Sequence, residues 1–201
     1  DEKGQAVLVV SGGSTPIGFF RRLSTKQIDW QHVVILLADE RWVDSDHDDS
    51  NEKLVRENLL VDSACAAKFI SLKTVQHNVL NAEPTLNKLL TELGKFDLVI
   101  LGMGGDGHTA SLFPDATNLE SGLDLASLRQ CIAVAPLNAP HQRMSMTLPR
   151  LLNSREIIIH ITGEEKRAVF DQARTQNNPL ILPIAAVINQ QTTPVTLYYS
   201  P

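Results

Sequence analysis

Four glycines, one aspartate and one histidine stand together in Gly102-Met103-Gly104-Gly105-Asp106-Gly107-His108, which continues as Thr109-Ala110-Ser111-Leu112-Phe113-Pro114. Glycine weakens regular structure unless its conformational freedom is used, so this density implies a backbone bent tightly near a ligand. In an extended loop, positions two apart face the same way, which lets Asp106 and His108 act together. An imidazole titrates near neutrality, and a carboxylate partner fixes its tautomer and raises its basicity. The pair therefore reads as proton-handling machinery, with His108 as the base and Asp106 beside it.

A second glycine-bearing segment, Ser11-Gly12-Gly13-Ser14-Thr15-Pro16, lies between an apolar run and helix-like sequence from Ile17. Gly12 and Gly13 let the backbone approach an anion, Ser14 and Thr15 add hydroxyl donors, and a helix amino end supplies free N–H groups and positive dipole. The segment reads equally as a phosphate seat or as a tight strand-to-helix turn. It is neither a P-loop nor a dinucleotide fingerprint, since the required Lys and glycine spacings are absent. Asp39-Glu40-Arg41-Trp42 puts two carboxylates and a guanidinium after another apolar run, where Arg41 faces either a substrate oxygen or its own neighbours. Arg143 and Lys166 are further cations positioned to reach an anion held at the first loop. Asp46-His47-Asp48-Asp49 carries oxygen ligands but lacks calcium-loop spacing, so it is expected to be a solvated loop and no metal is expected. His32 and His77 are expected to be exposed, His141 in a loop and His160 in a strand, with no role for any of them.

The elements that must position these groups are legible as continuous apolar runs at Ala6–Val10, Val33–Ala38, Phe69–Leu72, Phe96–Met103, Cys131–Ala135, Glu156–Thr162 and Val195–Tyr199. Such runs belong to strands covered on both faces. Amphipathic helices fit between them at Ile17–Leu23, Asn51–Leu60, Pro84–Leu93 and Glu164–Ala173. The alternation predicts a three-layer α/β/α fold with a mainly parallel, Rossmann-like sheet, in which ligands sit beyond the carboxyl ends of the strands.

The 201 residues suit one domain, and the −5 formal charge without a basic stretch argues against a nucleic-acid partner. No apolar run is long enough to span a membrane. Cys65 and Cys131 have no metal or redox spacing and are expected to be buried thiols in a cytoplasmic protein.

With Ser-Gly-Gly-Ser-Thr-Pro, Asp-Glu-Arg-Trp-Val, the Asp48–Asn51 neighbourhood and Leu-Gly-Met-Gly-Gly-Asp-Gly-His-Thr-Ala-Ser-Leu-Phe-Pro in this order, the chain resembles the 6-phosphogluconolactonase family, which is related to the glucosamine-6-phosphate deaminases. The likeness covers essentially the whole chain. It implies hydrolysis of 6-phospho-D-glucono-1,5-lactone in the oxidative pentose phosphate pathway, with a phosphosugar lactone as the partner, no cofactor, and a monomer or weak dimer. It further implies that Gly12, Gly13, Ser14 and Thr15 hold the 6-phosphate with Arg143 and Lys166, that His108 is the general base beside Asp106, and that Arg41 lies near the sugar hydroxyls or carboxyl end. Asp39 matches the proton acceptor of the deaminases. The family usually has a helix and a short strand before the first phosphate loop, so the resemblance implies a shortened front end. A deaminase would carry a glutamate about five residues after the histidine, where this chain has Phe113. A serine hydrolase would need a Gly-x-Ser-x-Gly elbow. A sugar-phosphate sensor would normally bring a helix-turn-helix segment, for which this chain has neither room nor a basic patch.

Overall fold

The computed structural model describes residues 4–201. In chain order they form β1 (Ala6–Val10), α1 (Ile17–Ser24), β2 (Val33–Leu37), β3 (Asp39–Arg41), α2 (Asn51–Asn58), β4 (Lys68–Ile70), α3 (Glu83–Glu92) and β5 (Phe96–Leu101). There follow α4 (Leu119–Leu123), β6 (Cys131–Val134), β7 (Arg143–Met146), α5 (Leu148–Leu152), β8 (Ser154–Thr162), α6 (Glu164–Gln176), α7 (Ala185–Ile188) and β9 (Val195–Ser200).

Six strands make one parallel sheet in the order β4-β2-β1-β5-β8-β9. The apolar runs explain it: Val9, Val10, Ile35, Leu36, Leu37, Leu101 and Ile159 are fully buried, as strands covered on both faces require. Each such side chain contributes about 1.5–3 kcal/mol through burial. The order also has a functional reading. From β1 the chain builds outward to β2 and β4, then returns to place β5 on the other side of β1, so the β1–β5 boundary is where the winding reverses. Crevices open at such a reversal, and both glycine-rich segments leave the carboxyl ends of these two strands.

Two expectations are corrected. The Cys131 run is not part of the main sheet, because β6 joins a separate antiparallel sheet of order β3-β7-β6. The Asp-Glu-Arg segment is itself a strand of that small sheet. The crossing point is Ala38, whose N–H donates to the Val10 carbonyl of the main sheet while its own carbonyl accepts from the Met146 N–H of the small one. Arg143 opens β7. This strand reads Arg-Met-Ser-Met and carries little β-branched signal. The second correction concerns the thiols: Cys131 is buried as expected but Cys65 is exposed, on a 3-10 turn at Asp62–Ala66.

Burial also pushes the Cys131 thiol up to about 12, so it stays protonated and unreactive at neutral pH. A disulfide-exchange reagent added to the native protein is expected to titrate one thiol, Cys65, and to find the second only after denaturation. Rapid titration of both in the native state would contradict this placement.

Candidate active site

The crevice at the β1–β5 boundary has a volume of about 250 Å³. Its floor is the turn after β1, where Gly13 takes a φ of 89° that a side chain would resist. The turn delivers the chain into α1, whose amino end at Pro16 carries no side-chain cap. Its leading N–H groups therefore meet no capping side chain, a setting that favours an anion. Gly12 is required for a different reason. A Cβ there would lie 2.0 Å from Oδ1 of Asn51, a buried residue whose Nδ2 donates to the Asp39 carbonyl at 3.0 Å. Asn51 thereby packs the anion loop directly against the start of β3.

One wall comes from β3 and α2. Glu40 turns away from the crevice and accepts N–H bonds from Asn51 at 2.8 Å and Glu52 at 2.7 Å, together with the Ser50 hydroxyl at 3.1 Å. It thus ties the amino end of α2 to β3. Burial, its largest influence, holds the Glu40 carboxyl above its ordinary value against the lowering effect of these N–H bonds. Asp39 and Arg41, on the other face of the strand, border the crevice. Asp39 Oδ2 accepts from the Ser111 hydroxyl at 2.5 Å, and the Ser111 N–H donates to the Ser145 hydroxyl at 3.1 Å, so three distant segments are bolted together here. Arg41 is steadied from behind, its Nη1 donating to the Asp49 carbonyl at 2.5 Å.

The opposite wall is the loop after β5. The Gly104 N–H donates to the His108 carbonyl at 2.9 Å and the Gly107 N–H to the Gly104 carbonyl at 3.1 Å, a tight coil that Gly107 closes with a φ of 77°. His108 Nδ1 lies 2.6 Å from Asp106 Oδ1, and the His108 N–H also donates to that oxygen at 3.1 Å. The expected pairing is thus present. Asp106 is partly buried, which is the largest single influence and raises its pKa. The His108 bond and charge together with the backbone N–H groups outweigh this and hold the carboxyl below the usual range. Asp106 is therefore an anion at neutral pH, oriented to hold Nδ1 as the protonated nitrogen and to leave Nε2 free. The His108 side chain is 29% exposed, open enough to meet a ligand. The Phe113 ring covers its other side, with centroids 4.2 Å apart.

Gly12, Gly13, Ser14, Thr15, Asp39, Arg41, His108 and Lys166 all border the crevice, Lys166 from the first turn of α6. Asp106 stands behind His108. Arg143 does not line the wall: it lies opposite Arg41 in the β3–β7 ladder, buried, with Nε and Nη1 unpartnered. Burial first, and then the like charge of Arg41, weaken its hold on the proton. Sequence reasoning missed Asn51 and His160 as crevice residues. A helix-opening Asn after Ser50 carries the usual signature of a cap, and a histidine inside a strand run gives no sign of which face it takes.

Comparison with known proteins matches residues 1–197 to the family described as glucosamine-6-phosphate isomerases/6-phosphogluconolactonase. The 6-phosphogluconolactonase of Neisseria meningitidis serogroup A is 43% identical over all of this chain and 87% of its own length. That of Pseudomonas putida is 41% identical, over 99% of this chain and 81% of its own. The crystal structure of a 6-phosphogluconolactonase from Shewanella baltica OS155 superposes with a TM-score of 0.96 at 45% identity, covering all of this chain and 86% of that one.

Proposed function

The chain belongs to the family of glucosamine-6-phosphate isomerases and 6-phosphogluconolactonases, and from that premise we propose that it hydrolyses 6-phospho-D-glucono-1,5-lactone to 6-phospho-D-gluconate in the oxidative pentose phosphate pathway. The observation that carries the reading is one crevice with the His108–Asp106 pair on one wall and, across it, an uncapped helix amino end with Gly12, Gly13, Ser14, Thr15 and Lys166. One end takes a dianion and the other moves a proton.

In the proposed reaction the 6-phosphate sits on the loop after β1 with Lys166 as its counter-charge, and the buried Arg143 adds positive field from behind Arg41. Nε2 of His108 removes a proton from water as the water oxygen bonds to the lactone carbonyl carbon. The carbonyl oxygen becomes an oxyanion, met by loop N–H groups or Arg41. The C–O bond to the ring oxygen then breaks, and the imidazolium returns its proton to that oxygen. The product is the open-chain acid. Asp39, fixed by Ser111, orients sugar hydroxyls.

A deaminase reading is disfavoured by Phe113. Where a ring-opening carboxylate would stand there is an aromatic ring packed at a tilt against His108. The deciding experiment measures acid release from freshly made phospholactone, corrected for spontaneous hydrolysis, beside ammonia release from glucosamine 6-phosphate. Acid release alone supports the proposal, and ammonia release as the faster reaction would overturn it. Lys166→Ala should raise KM for the phospholactone roughly 10- to 100-fold with kcat little changed, as expected for one charge-assisted bond to a dianion. An unchanged KM would remove Lys166 from the phosphate site.

A further inference from the structure

Just outside the crevice, two loops far apart in sequence bring together two imidazoles and a carboxylate that the proposed reaction does not use. His47 and Asp49 belong to the segment between β3 and α2, and His141 to the segment that leads into β7. His141 Nε2 lies 2.9 Å from Asp49 Oδ2, and His47 Nδ1 lies 3.9 Å from the same oxygen. One ligand atom from each of the three residues falls within 4.8 Å of the others. A tetrahedral zinc ion with bonds of about 2.0–2.1 Å sets its ligand atoms roughly 3.3 Å apart, so small side-chain rotations close the set around one. We propose that His47, Asp49 and His141 form a binding site for a divalent metal ion of the zinc class, on the rim of the active-site crevice.

Several features favour an ion over a simple cluster of hydrogen bonds. Two neutral imidazoles and one carboxylate match the nitrogen and oxygen donors that zinc prefers, and the fourth position faces solvent, with the side chains 46%, 52% and 29% exposed for His47, Asp49 and His141. Arg41 donates to the Asp49 carbonyl, so of Arg41 and His141 only His141 holds the carboxylate, through a bond that coordination replaces. The loop is also acidic, with Asp44, Asp46, Asp48 and Asp49 within six residues and only Asp48 held by a lysine, Lys53 at 2.6 Å. The Asp49 N–H donates to His47 Nδ1 at 3.0 Å, so coordination replaces that bond, or a half-turn of the ring presents Nε2. An ion here clips together the segments that carry Arg41 and Arg143, so its occupancy should also alter KM.

The test is calorimetric titration of untagged, chelator-treated protein with zinc chloride, followed by cobalt(II) absorption in the visible range to report the ligand geometry. One ion per chain is expected, with a rise in Tm of roughly 5 °C when zinc is in hundredfold excess over Kd. His141→Ala and His47→Gln should each weaken binding roughly tenfold or more while the metal-free variants keep the wild-type Tm. His108→Ala should leave the site intact. The proposal fails if no saturable binding is found up to about 100 µM zinc, or if binding survives both rim variants and is lost with His108→Ala, which would place the ion on the catalytic pair.

Discussion

Replacing His108 by asparagine is expected to lower kcat for the phospholactone by roughly 10²- to 10⁴-fold, the usual worth of a positioned general base. Asparagine keeps a nitrogen that can donate to Asp106 and is small enough to sit beneath Phe113, so the loop after β5 should retain its fold. KM should change little because the phosphate contributes binding at the far end of the crevice. Since Asp106 is held below the ordinary carboxylate range, it remains an anion while the medium is acidified through neutrality. Loss of wild-type activity just below neutrality should therefore not arise from Asp106. Stopped assays corrected for spontaneous lactone opening measure both effects. A variant that folds and turns over within a few-fold of wild type would exclude His108 as the base.

Gly104→Ala should do nearly as much damage without touching a titratable group. A Cβ at this position would come 2.3 Å from both Cε1 and Nδ1 of His108 and 2.6 Å from Asp106 Oδ1. These are side-chain ends rather than backbone, so the protein can fold by turning the imidazole aside, and the cost falls on geometry instead of stability. A misplacement of about 1 Å in a reacting group lowers turnover by about 10²-fold, and kcat should fall by roughly that much. Gly105→Ala is the natural control, since an added Cβ meets nothing within 4 Å and its backbone is not left-handed. Equal activity of the two alanine variants would show that the imidazole of the working enzyme does not sit where it is described above.

The parallel sheet was legible because its strands are apolar on both faces. Ala6–Val10, Val33–Leu37 and Phe96–Leu101 announce themselves through β-branched and leucine runs. The small sheet was not. Asp39–Arg41 is three polar residues long, and Arg143–Met146 alternates polar with apolar over only four residues and has no branched side chain, so both owe their strand geometry to each other and to Ala38. The five-residue α5 is set by the Thr147 cap and Pro149 in its first turn rather than by any periodicity. In the crevice, Gly12–Thr15 and His108 were found through dense glycine motifs and Asp39, Arg41 and Lys166 through their charge and place in the chain, while Asn51 and His160, drawn in by tertiary contact, were not. Arg143 was legible as a cation, while its retreat into the β3–β7 ladder required knowing that the small sheet exists.

The bolt from Asp39 through Ser111 to Ser145 joins positions 72 and 34 residues apart. Closing loops of that length is slow compared with local helix formation, and pairing β1 with β5 across 90 residues is slower still, so neither sheet is complete when the helices first form. A chain that has assembled its central strands but not yet docked β7 therefore holds most of its regular structure and no competent active centre. Recovery of enzymatic turnover after dilution from denaturant should therefore lag the recovery of helical signal, and loss of the Ser111 hydroxyl should also cost stability, because it leaves the buried Asp39 Oδ2 without that partner.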